Sequence, residues 1–584
     1  MTEKTTKKHV FAFLLDHATP SFFFDYVDKG MAPHVSKYIL GEKNKDNTYS
    51  NATISRHIVT GFPTSSANSH TSILTGSFAG KNDLIFEKYW NLTGKKPIYV
   101  MTSEITAQAL SAFNKKYINQ HCKTLFEHVD DSASFHLISR GASFKLFTFG
   151  NILMSFLPIF LKMRKLEEPG AMSPIDTPEV WRQLFEKHIP KYLKRVKKEG
   201  KLPQASFIIF LLSDANAHQF GFDSKEYKEA VSVLDYCVQL IVEGFDEKNG
   251  KHVEGLKELG FLDSIVWNIN TDHAGRLVQR DKYIMLGANL EAELGLRLID
   301  GLEKKAGEKP IKRLKGSYAH VNGFSSINSA HADFWFSPDG DGLPSFTRFH
   351  GEQLFRKITP RNEVFKGSRE PVDLIEHLLS KEYNHLIFIP EEDVTNPIEE
   401  IDPSTRIKEM IPREYVIKVL SSKGSGKITR AVKDGNIQYS YAIIDGEDPL
   451  EYSKVGLEYG KFHSNREWLE KTIDNDLPDV FHRIFGMFDA IYAPNLVVTS
   501  LFNNQYWSRL ETFHKSLKNK QSHGGLYSIE SVVPATFAGP GIKKGGEIPS
   551  GRNIDILPTL LKVLDCEYDE VKLDGKPLEE AFSK

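Results

Sequence analysis

Seven residues of types that bind metal ions or attack phosphorus stand at set places along this chain: Asp16, Ser66, Asp214, His218, Asp272, His273 and His523. Asp16 closes an apolar run, and Ser66 sits in FPTSSANSHTSILTG. Asp214 and His218 stand in LSDANAHQFG, Asp272 and His273 in NTDHAG after the run VWNIN, and His523 in QSHGG. Hydrophobic runs that each deliver an acid or an imidazole at their end are what a bimetal site at the carboxyl edge of an α/β sheet requires. Ligands there lie far apart in sequence and close in space. Carboxylate and imidazole donors suit zinc or manganese, and no thiolate competes. Taken singly, each residue reads as an ordinary loop or cap position; the order and the strand-end placement carry the argument. Asp214 and His218 are four apart, which sets them on one face of a helical turn. Ser66 precedes a short helical run closed by Gly76 as its C′ residue. A serine at a helix N-terminus sits where backbone N–H groups and the helix dipole bind a phosphate. A metal nearby could deprotonate its hydroxyl for attack on phosphorus.

Elements that would position these residues follow from the hydrophobic pattern. VFAFLL (10–15), SFIIFLL (206–212), SIVWNI (264–269), LVVTSL (496–501) and VPATFAG (533–539) are short, nearly all apolar, and followed by polar turns. They read as buried parallel strands. Amphipathic helical stretches alternate with them, one capped by Ser224 ahead of KEYKEAVSVLDYCVQLIVEGF. Alternating strands and helices imply a parallel α/β sheet. The stretch from about 300 to 470 is richer in Lys, Gly and Pro and carries a hairpin signal, Asp434-Gly435, between β-rich arms. The expected division is a metal-binding core over 1–300 and 470–584, with a possible helical insertion at about 85–200, and an inserted cap over 301–469.

Composition limits the function classes. Lys plus Arg number 74 and Asp plus Glu 76, a net charge of −2, so nothing argues for a nucleic-acid surface or a polybasic membrane patch. The three cysteines, Cys122, Cys237 and Cys566, form no CxxC pair, which removes a thiolate zinc site and fits a reducing compartment. The N-terminal apolar run ends on Asp16 and is too short for a signal peptide, so a cytoplasmic location is expected. The uncharged segment 146–161 falls short of the roughly 20 residues of a membrane span. It reads as a buried or cap helix, with a membrane-surface or lipid contact as the other reading.

With these residues in view, the chain resembles the alkaline phosphatase superfamily, and within it the type I phosphodiesterase/nucleotide pyrophosphatase branch. FLLDHATP resembles the family's strand-ending Asp, FPTSSANSHTSILTG its nucleophile helix, and DANAHQFG its D-x-x-x-H-x-x-G. NTDHAG resembles its S-D-H-G, SHGGLYSIESVVPATFAGPGI its G-x-H-G, and NIDILPTLLKVLD its closing helix. The resemblance covers the first 80 residues, roughly 205–280, and 480–570. It implies an alkaline-phosphatase-like α/β core with a mainly parallel central sheet flanked by helices, plus an inserted α+β cap. It also implies two divalent metal ions, zinc or else manganese. One is held by Asp214, His218 and His523, the other by Asp16, Ser66, Asp272 and His273. Ser66 takes the nucleophile's place, with Thr64 and Ser65 as alternatives, and Asn68 and Asn91 are the candidates for binding phosphate.

This sequence departs from the family pattern at several points. The nucleophile is Ser where the phosphodiesterase branch has Thr. Ser69 replaces an Asn, His17 stands where Gly follows the strand-ending Asp, and Ala274 stands where Gly follows Asp-His. The family's phosphate-binding Asn falls near Glu87. A carboxylate beside the phosphate repels a dianion more than a monoanion, which favours diesters. The expected activity is therefore hydrolysis of a small phosphate ester, foremost a diester. Ser66 attacks phosphorus, a phosphoseryl intermediate forms, and two inversions give net retention. The alternatives are a phosphomonoesterase of the same superfamily and a non-catalytic binding protein that keeps the fold. A sulfatase is excluded, since no C/S-x-P-x-R motif precedes the Asp214 region.

Overall fold

The computed structural model describes residues 7–91, 96–99, 118–145, 177–300, 323–336, 351–360, 370–391, 414–506 and 520–583, except 136, 248–249, 279–282, 297, 328–329 and 434–435. The strands that matter most to the site are β1 (His9–Leu15), β2 (Ala52–Val59), β3 (Ala205–Phe210), β4 (Ile265–Asn270), β5 (Leu496–Ser500) and β6 (Val532–Ala538). The helices are α1 (Ser66–Thr75), α2 (Leu212–Phe220), α3 (Lys225–Glu243) and α4 (Ile556–Val563).

β1 lies inside a nine-stranded sheet, parallel to β4 on one side and to β3 on the other. Phe11, Ala12, Phe13, Leu14 and Leu15 are all essentially inaccessible, because helices cover both faces. Burying each large apolar side chain of such a strand stabilises the fold by about 1.5–3 kcal/mol relative to exposure. The parallel half continues from β3 through Ser132–Phe135 to Phe144–Lys145. Beyond β4 the sheet changes direction: β6 pairs antiparallel with both β4 and β2. The sheet is mainly parallel, as expected, but VPATFAG is an antiparallel strand within it. A run buried on both faces carries no signal of its direction.

A second nine-stranded sheet begins at Leu298. Its order is Leu298–Asp300, Gly323–Ile327, His331–Phe336, β5, Asn384–Pro390, Tyr415–Leu420, Gly424–Lys433, Asn436–Gly446 and His463–Ser464. LVVTSL, expected as a parallel core strand, is β5 and stands in the middle of this second sheet, antiparallel to both neighbours. The region expected as a cap over 301–469 therefore draws β5 into its sheet. The hairpin read at Asp434-Gly435 forms, with Lys433 paired to Asn436, although the two turn residues lie outside the described set. Within 85–200 the structure holds two strands of the central sheet besides the helix Pro178–Glu199. The segment 146–161, with its candidate lipid contact, lies outside the described residues. No helix among the described residues is long and apolar enough to cross a membrane.

Two helices fix the geometry around the strand ends. α3 is capped by Ser224, whose hydroxyl accepts from the Tyr227 N–H at 3.1 Å. α1 ends at Gly76, whose φ of 62° is the left-handed conformation that glycine adopts without cost. The Gly76 carbonyl then accepts from the N–H groups of Asp574 and Gly575, both at 3.0 Å, and α4 packs alongside. The helix that presents Ser66 is thus held at its far end.

Candidate active site with paired acid and imidazole clusters

Three strands deliver the site. Asp16 follows β1, and its N–H bonds the last carbonyl of β3, Phe210, at 3.2 Å. Asp272 and His273 follow β4, and α2, which begins directly after β3, carries Asp214 and His218. Ser66 opens α1, and His523 comes in on the segment after Gln521–Ser522, itself paired to Arg276–Leu277. All seven residues singled out by spacing converge at one edge of the central sheet.

They fall into two touching groups. In the first, Asp214 Oδ1 lies 3.2 Å from His218 Nε2 and 3.7 Å from His523 Nε2, and the two Nε2 atoms are 3.2 Å apart. In the second, His273 Nε2 lies 3.5 Å from Asp16 Oδ1 and 3.3 Å from Asp272 Oδ2. Ser66 Oγ donates to the same His273 Nε2 at 3.1 Å. Three imidazoles are tethered from behind through Nδ1–H: His218 to Gln521 O at 2.7 Å, His523 to Thr64 O at 2.7 Å, and His273 to Ala274 O at 3.1 Å. That turns each Nε2 toward the acids, the arrangement typical of metal-binding histidines. Thr64 does more: its hydroxyl donates to Gly525 O and accepts from Gly524 N–H, so it clamps the His523 loop.

The electrostatics ask for a cation. Burial pushes the Asp16 carboxyl well above its usual range, and the nearby Asp272 and Asp214 push it further. Among the described residues its Oδ1 finds no hydrogen-bond partner. Burial also opposes ionisation of Asp272 and Asp214, but His273 and His70 hold the first low, and His218 and His17 hold the second low. Burial lowers His523 well below its ordinary value, with the neighbouring His273 charge in support, which leaves it neutral and able to donate a lone pair. Three carboxylates and a ring of neutral-capable imidazoles in one dry pocket fit divalent cations by donor type and convergence. The ligand atoms of Asp16, Asp272 and His273 lie within 4.8 Å of one another, as do those of His17, Asp214, His273 and His523.

Two residues of this pocket were not singled out by spacing. His70 Nε2 donates to Asp272 Oδ2 at 3.0 Å. It lies one helical turn beyond Ser66, so the i, i+4 relation places both on one face of α1. His17 Nδ1 lies 2.6 Å from Asp214 Oδ1, and its backbone N–H donates to Asp272 Oδ1 at 3.1 Å. Burial lowers His17 to about 4, against the pull of Asp214. Of the candidate phosphate-binding residues, Asn68 is buried and its amide donates to Pro63 O at 2.9 Å, which ties it to the turn before α1. Asn91 ends the strand Lys88–Asn91, and its side chain lies outside the described residues.

Comparison with known proteins bears on this arrangement. Residues 13–253 match the family model of the type I phosphodiesterases/nucleotide pyrophosphatases. The resemblance read from the motifs is thereby shown, over a stretch that holds Asp16, Ser66, Asp214 and His218. Two solved structures of murine ectonucleotide pyrophosphatase/phosphodiesterase 5 also match, one of them an inactive variant in complex with AMP. Each is 11% identical, covers 96% of this chain and 96% of its own, and has a TM-score of 0.50. At that identity the likeness shows a shared fold. No curated protein matches the sequence.

Proposed function

We propose that this protein is a metal-dependent hydrolase of phosphoric esters, a phosphodiesterase with Ser66 as nucleophile. The observation that carries the reading is Ser66 Oγ at the start of α1, 3.1 Å from His273 Nε2 and facing the Asp16–Asp272–His273 group. Asp214, His218 and His523 would hold one ion, and Asp16, Ser66, Asp272 and His273 the other, zinc or else manganese. Bound there, such ions supply Lewis-acid charge that favours the serine alkoxide and neutralises ester oxygens. The chain's own contribution is orientation. Ser66 is the first residue of α1, where the helix dipole favours negative charge by about 0.3–1 kcal/mol. His70 holds Asp272, and Thr64 holds His523, so both groups are set before substrate arrives.

One feature supports a diester: Glu87 acts electrostatically on both Asp16 and His218, and a carboxylate there would disfavour a dianionic monoester more than a monoanionic diester. The AMP complex of the murine structure makes nucleotide esters the first to try. The serine in place of threonine favours the phosphomonoesterase reading instead, and the assay decides between them. Ser66→Ala should lower turnover of bis-p-nitrophenyl phosphate by about 10³-fold or more in protein that still carries its ions, since six of the seven donors remain. Full activity in that variant would remove Ser66 as nucleophile.

A further inference from the structure

His17 occupies a position where the family pattern has glycine, and the structure bends around it. Its φ is 61°, a left-handed conformation that costs a side-chain-bearing residue about 1–2 kcal/mol and glycine nothing. Strain retained at such a place points to a use for the side chain. The backbone is held at both ends: its N–H donates to Asp272 Oδ1 at 3.1 Å, and its carbonyl accepts from Tyr227 Oη at 2.7 Å. The ring stands edge-on to His218, His273 and His523, with centroids 5.3, 5.1 and 5.4 Å away. Opposite it lies Gly275, where a Cβ would come within 2.0 Å of His17 Nε2. Gly275 has no left-handed φ, so the absence of a side chain there serves space for the ring. Nε2 faces that glycine, and Nδ1 faces Asp214 Oδ1 at 2.6 Å.

We propose that His17 is a fourth protein donor, through Nδ1, to the ion held by Asp214, His218 and His523. The inference rests on the metal-site reading above. Its ligand atom lies within 4.8 Å of those of Asp214 and His523, as a shared ion requires. One carboxylate and three imidazoles make a four-donor set, the number that closes a zinc site; sites with three protein donors keep a position open. This half-site is therefore built to hold its ion more firmly than the three-donor pattern of the family.

The competing account is that His17 only steadies Asp214 through an Nδ1–H bond. Two variants separate them, and both tolerate the left-handed backbone. His17→Gly restores the family residue and removes every side-chain role. His17→Asn keeps an amide N–H for Asp214 but supplies a poor metal donor. The full-length protein is loaded with Co²⁺, and bound metal, dissociation constants and visible absorption are measured, with Asp214→Asn as reference. The expected result is two ions in the wild type. In both His17 variants one ion should be weakened by about 10–100-fold and the cobalt band of that site altered. His17→Asn with wild-type affinity and spectrum would overturn the proposal in favour of the steadying role, and unchanged His17→Gly would overturn both roles. If Asp214→Asn loses an ion while neither His17 variant does, the metal-site reading stands and this proposal falls. If the wild type takes up no ion, both fall.

Discussion

At the scale of single residues, the site is a set of opposed titrations. Burial disfavours the charged form of His218, but Asp214, by charge and hydrogen bond, outweighs it and raises the imidazole to about 9. A histidine whose folded value lies above its unfolded one stabilises the fold fully below about pH 6.5. That contribution is lost as pH rises through about 9. The metal-free protein should therefore lose stability across that window, by on the order of 3 kcal/mol at most, in urea melts at a series of pH values. A His218→Gln control should flatten the profile; a profile unchanged by that substitution would refute the assignment. A cation must displace the same proton, so metal uptake near pH 7.5 should release about one proton per chain at this residue, read with a pH indicator in weak buffer. All seven residues picked out by type and strand-end spacing reach the pocket, because strand ends at one sheet edge converge whatever their separation in sequence. His17 and His70 escaped because neither stands where the family motif has a donor. Their signals were present, adjacency to Asp16 and one turn from Ser66. Asn68, two residues after Ser66, gives one amide N–H to the Pro63 carbonyl.

At the scale of elements, precision at Ser66 depends on the far end of α1. Gly76 closes the helix at φ 62°, and a Cβ there would meet Leu557 Cδ2 at 3.3 Å. Gly76→Ala should destabilise the protein by about 1–2 kcal/mol, measured by urea denaturation. Because α1 also carries His70, the same variant should loosen the Asp272 side of the pocket more than the Asp214 side. A neutral effect on stability would show that α4 and the 573–575 segment do not fix the helix. Element type was legible where apolar runs were short and ended in polar turns, as in β1, β3 and β4. Direction and sheet membership were not. β5 and β6 have the same composition as the parallel strands, and their partners are chosen by tertiary packing that a run of Val, Leu and Phe does not encode.

At the scale of the molecule, two nine-stranded sheets share one polypeptide, and the site lies at the edge of the first. Trp335, on a strand of the second sheet, packs into the hydrophobic cluster of the first and donates from Nε1 to Tyr492 O at 3.0 Å. The part that carries the acid and imidazole clusters was readable because its residues recur in fixed motifs. The second sheet was readable only as hairpins, since its antiparallel pairings carry no chemistry and its order depends on contacts far apart in sequence. The proposed activity requires that this pocket hold ions and use Ser66 on a phosphoric ester. The most direct measurement is metal content of the purified protein, beside hydrolysis of bis-p-nitrophenyl phosphate and p-nitrophenyl phosphate by wild type and Ser66→Ala. Two ions per chain, faster turnover of the diester, and loss of that turnover with metal retained in Ser66→Ala is the predicted result. A protein that binds no ion and cleaves neither ester would contradict it and leave a binding protein built on a hydrolase fold.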